Sequence, residues 1–378
     1  RARDLANFGN NAGGLETLTV SDITDLTATA TELNKLSGVT ATKDELNLVD
    51  GSVSGPLNHR NMIINGAMQV HQRVATNTLV QASHASTTTG FTVDRFKYWE
   101  STDGTYQTKH NAVTDLAGFT SSLYLSPDAA DTSIAAGQYA LVGQTIEAQD
   151  LQHIGIGTSS SKTLTLSFYI KSNLTGKMSA YIAKYDNGTR IVPLEFDLPS
   201  SAGDWERIEL TVPALTSGGI INNDNGLGFE VIWALTVGDT YKIGTSGTWG
   251  SNANGLSTSN HNVNFMSSTS NYIELTGVQL ELGSVATPFE TRSYADELQR
   301  CLRYYEKIVP SGSAYVADNS NSSTLGYARI NGTYLVTKRA APTIGGSGFA
   351  IGGSANMYAG YSSTVTTVFP TIETIAEL

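Results

Sequence analysis

The tightest constraint on this chain lies in residues 272–307, where a strand, an abrupt stop and an amphipathic helix follow one another without a linker. Ile273 and Leu275, then Val278, Leu280 and Leu282, alternate with Glu274, Thr276, Gln279 and Glu281, the period of a half-buried strand. The alternation slips by one residue at Thr276-Gly277, which predicts a β-bulge, because one extra residue turns every later side chain to the other face. Gly283 and Thr287-Pro288 end the strand, since proline has no N–H for a ladder and biases its predecessor away from helix. Ser293, with Asp296 three residues on, has the spacing of a capping box; Leu298, Cys301, Leu302 and Tyr305 then make one apolar stripe. Cys301 is the chain's single cysteine, so no internal disulfide can form, and its place on the stripe predicts a buried thiol.

The residues before this joint read as strands. Leu164, Leu166, Phe168 and Ile170 share one face, with Thr165, Ser167, Tyr169 and Lys171 on the other. Residues 178–185 and 191–197 flank Asp186-Asn187-Gly188, a type I′ hairpin signal, because its central residues tolerate positive φ. Ile208, Leu210 and Val212 form another half-buried run, and Phe229, Val231, Trp233, Leu235 and Val237 another. Many strands with almost no helix between them predict a mainly β chain built on an antiparallel sandwich of jelly-roll type. After residue 307 the pattern returns to β, with residues 324–330 and 333–338 read as a hairpin around Asn331-Gly332.

The first 57 residues behave differently. Thr27-Ala28-Thr29-Ala30-Thr31-Glu32-Leu33-Asn34 repeats as Thr40-Ala41-Thr42-Lys43-Asp44-Glu45-Leu46-Asn47, a period of 45 − 32 = 13 residues. Thr29 stands three before Glu32 and Thr42 three before Glu45, so each copy can cap about two turns of helix. Helices so short are unstable alone in water. Leu33, Leu36, Leu46 and Val49 are therefore the candidate trimerisation residues, buried against the same unit in two sister chains around a three-fold axis. The other reading is a flexible linker.

Three further segments carry a resemblance. Asn61-Met62-Ile63-Ile64-Asn65-Gly66-Ala67-Met68-Gln69-Val70, Val93-Asp94-Arg95-Phe96, and the run from Gly277-Val278-Gln279-Leu280-Glu281 through Ala286-Thr287-Pro288-Phe289-Glu290-Thr291-Arg292 to Arg303-Tyr304-Tyr305 resemble bacteriophage tail-fibre proteins in the same order. The 13-residue repeat is similar to trimeric phage fibre shafts. The strand order around Gln144, Leu164 and Trp205 is also similar to jelly-roll carbohydrate-binding modules. The resemblance implies a shaft over residues 1–57, a jelly roll over 58–291, a linking helix over 292–307 and a C-terminal β tip over 308–378. It also implies a non-enzymatic virion fibre, assembled in the bacterial cytoplasm as a homotrimer. Its partners would be other tail proteins at its N-terminal side and a bacterial surface glycan.

Charge and motifs set the limits of function. A net charge of −11 argues against nucleic acid or an anionic membrane, and no apolar run is long enough to span a bilayer. The six histidines show no metal-ligand spacing, and no phosphate loop or nucleophile elbow occurs. No cofactor is expected, although Asp-rich turns leave a structural calcium open. Glu195, Asp197, Asp204 and Glu206 keep open a glycosidase pair, hence a depolymerase; a purely structural head or tail fibre is the other alternative. Glycan binding needs aromatic faces flanked by polar groups. Trp249, in a polar Gly/Ser/Asn loop, is one candidate: either an exposed platform or a residue tucked against the sandwich edge. Tyr169, Tyr181 and Tyr185 with Lys171 and Glu195 are the other, lining one surface if their strands are neighbours; the alternative is ordinary cross-strand packing.

Overall fold

The computed structural model describes residues 29–35, 37–38, 60–81, 91–308, 316–317, 328–341, 343–345, 350–353, 357–362 and 372–377. The chain divides into two units, Arg1–Asp50 and Gly51–Leu378. In the first, α1 (Ala30–Lys35) carries the expected cap: Glu32 accepts from the Thr29 N–H and hydroxyl, both at 2.7 Å, and Thr29 Oγ1 accepts from Glu32 N at 3.3 Å. Leu33 is half-buried on this turn; Leu36, Leu46 and Val49 lie outside the described residues.

The second unit is built on two antiparallel sheets packed as a sandwich. Its strands are β1 (Val80–Gln81), β2 (Lys97–Glu100), β3 (Thr105–Ala112), β4 (Ser121–Ala129), β5 (Tyr139–Glu147), β6 (Leu164–Ser172), β7 (Lys177–Lys184), β8 (Arg190–Asp197), β9 (Trp205–Val212), β10 (Leu227–Val237) and β11 (Ile273–Leu282). One sheet runs β1-β3-β4-β11-β6-β9, the other β2-β5-β10-β7-β8, so the chain repeatedly crosses between sheets in the winding of a jelly roll. Leu164, Leu166, Phe168 and Ile170 face Val231, Trp233 and Leu235 in one buried core. The Phe168 and Trp233 rings meet edge to face at 5.2 Å. Val237 falls instead in a second cluster, because the register shifts between Ala234 and Thr236.

The expected bulge is present: register slips between Thr276 and Gln279 opposite β6, and Gly277 takes φ 60°. A β-carbon there would meet the Phe119 and Tyr169 rings at under 3 Å, so the position needs glycine on both counts. The hairpin at Asp186-Asn187-Gly188 joins β7 to β8, with positive φ at Asn187 and Gly188.

The joint departs from expectation at its end. Ser293 caps α2 (Tyr294–Leu302) by accepting from Asp296 N, but the helix stops at Leu302 and does not continue to Lys307. Tyr305 belongs instead to β12 (Tyr305–Ile308), paired with β18 (Ile372–Ile375), which also pairs with β15 (Thr343–Gly345). Pairing to the last strand of the chain overrides the helical stripe. A four-stranded sheet comprises β13 (Val316–Ala317), β14 (Ala328–Thr333), β17 (Met357–Ser362) and β16 (Ala350–Gly353). Asn331-Gly332 is no turn: it lies inside β14, opposite Ala359 and Tyr358. Turn propensity at that dipeptide yields to the cross-strand ladder with β17.

The segments that carry the tail-fibre resemblance converge on this joint. Asn61 bonds Val278 O, Leu280 N and Ile63 N, while Glu297 accepts from Asn65 N at 2.6 Å. Glu281 bonds Thr287, and Arg292 pairs with Glu290 and Glu297. Arg73 bridges Asp94 and Glu377, and Glu377 also takes the buried Arg95 guanidinium. The Glu147 carboxylate receives Arg303 twice at 2.7 Å and the Tyr304 hydroxyl at 2.6 Å. Burial alone would raise its pKa; the hydrogen bonds from Arg303 and Tyr304 hold it below the usual value. Cys301 is fully buried here, its thiol pushed up by desolvation.

Candidate functional site

The sandwich separates the tyrosines that the sequence groups together. Tyr169 lies on β6 in the six-stranded sheet, whereas Tyr181 and Glu195 are on β7 and β8 of the five-stranded sheet and Tyr185 follows β7 directly. No single surface can therefore hold all four. Alternation within each strand was legible, but consecutive strands β6 and β7 enter different sheets, and nothing local records that.

On the five-stranded sheet the solvent face is roofed by residues 238–262. Tyr241 and Leu256 pack over Leu141, Tyr181, Ala183, Ile232 and Ala234, leaving Tyr181 only 3% exposed. Glu195 holds this roof, accepting from Thr258 Oγ1 at 2.7 Å and Asn260 Nδ2 at 3.0 Å and pairing with Lys177. These bonds, Thr258 first, keep its carboxyl below the usual range. Tyr185 is exposed, but its hydroxyl donates to Glu230 at 2.7 Å. Trp249 is no open platform either. Its loop bonds the edge strand, through Gly247 N to Pro193 O and through Ile191 with Gly250, while the indole packs on the core and donates to Pro213 O at 2.7 Å.

The six-stranded sheet keeps its outer face. Cross-strand register places Lys109, Tyr124, Glu274, Lys171 and Trp205 side by side on β3, β4, β11, β6 and β9. Four strand spacings of about 4.8 Å make this row roughly 19 Å long. Its members alternate cation, ring, acid, cation, ring. Lys109 Nζ stands 4.5 Å from the Tyr124 centroid, and Tyr124 stacks on Tyr272 at 5.8 Å with planes 9° apart. Glu274 is steadied by Ser122 Oγ at 2.6 Å and Asn111 Nδ2 at 3.0 Å. Trp205 donates to Asp115 at 3.0 Å, and Lys171 meets the other oxygen of that carboxylate at 2.6 Å, 5.7 Å from the indole. The Lys171 and Trp205 bonds hold Asp115 below the ordinary carboxylate range. Lys109, Tyr124, Lys171, Trp205 and Tyr272 are all half-buried, so each offers a fixed face and an open edge.

Tyr169 sits one row away, opposite Thr276 and Arg207, under Phe119 at 5.2 Å, which in turn packs on Phe289. It closes the end of the face by packing. Trp205, whose direction the sequence leaves open, is placed by its pairing with Lys171. Tyr124 escapes sequence reasoning because residues 121–129 carry no clean alternation, and Tyr272 because its stacking partner lies on a strand distant in the chain. Among the described residues, no group of three His, Cys, Asp or Glu is placed to hold a metal ion, and no helix is long and apolar enough to cross a membrane.

No family model matches this chain, and no curated protein sequence matches it. Solved structures similar in shape include a protein of Bacteroides thetaiotaomicron, at 13% identity and TM-score 0.30, covering 59% of this chain and all of that one. A family 11 carbohydrate-binding module of Clostridium thermocellum, solved with a mixed-linked tetrasaccharide, is similar at 12% identity and TM-score 0.27, over 57% of this chain and 100% of the module. The enzymatically active domain of tailspike protein 4 from bacteriophage CBA120 is similar at 16% identity and TM-score 0.27 over 59% of this chain; the match spans 21% of that structure. Likeness this distant transfers neither ligand nor activity.

Proposed function

We propose that this chain is a non-enzymatic phage tail-fibre protein that attaches the particle to its host by laying a bacterial surface glycan across the six-stranded sheet. The observation that carries the reading is the row Lys109, Tyr124, Glu274, Lys171 and Trp205, long enough for several sugar rings. Sugar C–H faces pack on the Tyr124 and Trp205 rings, while hydroxyls accept hydrogen bonds from the Lys109 and Lys171 ammonium groups. The host-attachment half of the proposal rests on the sequence resemblance, and it makes the fibre a homotrimer whose three faces act together. Avidity then lets each face bind weakly.

The test is binding of purified protein to an array of bacterial surface polysaccharides, with Trp205→Ala and Tyr124→Ala beside wild type. Losing about 50 Å² of ring contact removes roughly 1.2 kcal/mol at about 25 cal/mol per Å², close to a tenfold weakening per site. Binding untouched by both substitutions, or absent from wild type, overturns the reading. A fall in polysaccharide viscosity during incubation would replace it with a depolymerase.

A further inference from the structure

A cavity of about 240 Å³ opens between the segment of residues 61–64, strand β5, the turn Ala148–Ile154 and the end of α2. It is separate from the glycan face and uses none of its residues. Below the roughly 300 Å³ at which drug-sized pockets begin, it has room for one small ring and no chain. The wall mixes two surfaces. Met62, Ile64 and the Tyr304 ring are apolar, whereas Arg95, Asp150, His153 and Arg300 are polar.

The wall includes one buried cation. Arg95 is 2% exposed, lies 3.4 Å over the Tyr304 ring and spends its two terminal nitrogens on Glu377 and on Thr145 O. At the mouth, the Asp150 carboxylate accepts, Arg300 donates, and His153, exposed at its edge, can do either, because partial desolvation of the ring lowers its pKa and favours the neutral imidazole. A phosphate or carboxylate ligand would meet Asp150 as a like charge. A ring bearing hydroxyls meets each group with a matching donor or acceptor, and sets its C–H face against Met62 and Ile64.

We propose that this cavity is a second, pocket-type site that takes one neutral sugar ring end-on, with ring hydroxyls bonding the Asp150 carboxylate and the His153 imidazole. It binds a chain terminus or a side branch, while the sheet face binds along a chain, so the identity of the terminal sugar becomes part of host recognition. The inference stands on the cavity alone, although its biological use rests on the glycan-attachment reading.

Saturation-transfer NMR on the full chain, with the methyl glycosides of glucose, galactose, mannose and N-acetylglucosamine as probes, tests it. At least one glycoside should bind saturably in the roughly millimolar range. Asp150→Ala and His153→Ala, both at exposed positions that leave the fold intact, should weaken it about tenfold, and Ile64→Trp should abolish it by filling the space. Trp205→Ala should leave it unchanged. Saturable binding by none of the four, or binding lost in Trp205→Ala and kept in Asp150→Ala, overturns the pocket. Glycoside binding alongside a wild type that ignores every polysaccharide would instead overturn the sheet-face reading and leave the pocket standing.

Discussion

Replacing Asn65 tests whether the tail-fibre-like segments serve the frame or a ligand. Asn65 is 1% exposed and holds φ 61°, a left-handed conformation that asparagine tolerates better than most residues. Its Nδ2 donates to Val70 O at 2.8 Å and Asp94 O at 3.0 Å, and its Oδ1 accepts from Val70 N at 2.9 Å. Asn65→Ala removes all three bonds, at about 1 kcal/mol each, and leaves Val70 N and Asp94 O without partners, while Val70 O keeps the Asp94 N–H. Alanine in the left-handed region adds about 1 kcal/mol, so the loss should total about 4 kcal/mol. Asn65→Gly loses the same bonds but not the conformational penalty; after about 0.5 kcal/mol of extra unfolded-state entropy, it should recover about 0.5 kcal/mol. Asn65→Asp keeps the shape but turns a carboxylate oxygen toward two carbonyls, and should be no more stable than the alanine variant. Urea unfolding followed by tryptophan fluorescence reads all three, because Trp233 is fully buried in the core. An alanine variant within 1 kcal/mol of wild type, or a glycine variant no better than it, would refute the reasoning.

Acid should weaken the fold through His110 and His261. Both have pKa values lowered from 6.5 to about 4, chiefly by burial, so the unfolded chain binds more protons and stability falls as pH drops from about 6.5 toward 4. At pH 5.5 the loss relative to pH 7.5 is about 1.4 kcal/mol per histidine, and a urea midpoint that is flat or rising over that interval would count against it. Arg303→Met strands the buried Glu147 carboxylate with only Tyr304 and Gln149, for a loss of about 2–3 kcal/mol. Adding Glu147→Gln should return part of that loss in a double-mutant cycle, and strict additivity would mean that the pair is not coupled.

What the sequence made legible was whatever is written within about ten residues. Alternation located the core faces of β6, β9 and β10, the phase slip located the bulge at Gly277, and Ser293 located the start of α2. What it hid depends on partners distant in the chain. The stripe that suggested helix as far as Tyr305 is cut at Leu302 because β12 pairs with β18, whose residues lie some seventy positions later. Asn331-Gly332 reads as a turn only while β17 is out of view. The candidate site failed in the same way: Tyr181 and Glu195 alternate correctly, yet a roof supplied by residues 238–262 turns an outer face into an interior one.

The two kinds of residue are divided in a way that bears on function. In the segments resembling tail fibres, Asn61, Asn65, Asp94, Arg95, Glu281, Arg292, Glu297, Arg303 and Tyr304 spend their hydrogen bonds on one another, on backbone and on Gln72, Arg73, Glu147, Thr287 and Glu377. Such groups cannot change without leaving a buried donor or acceptor unmatched, which costs about 1–3 kcal/mol each time. Lys109, Tyr124, Glu274, Lys171 and Trp205 all fall outside those segments, on strands whose inward residues fix the register and whose outward ones do not. Glu274 is 6% exposed and bonded to Ser122 and Asn111, so it goes with the frame; the half-buried Lys109, Tyr124, Lys171 and Trp205 can be rewritten around it, since substitutions on a solvent face away from buried networks usually cost within about 0.5 kcal/mol. On the proposed attachment reading, that separation lets the outer row follow a variable surface while the buried network, and with it the fold, stays as it is.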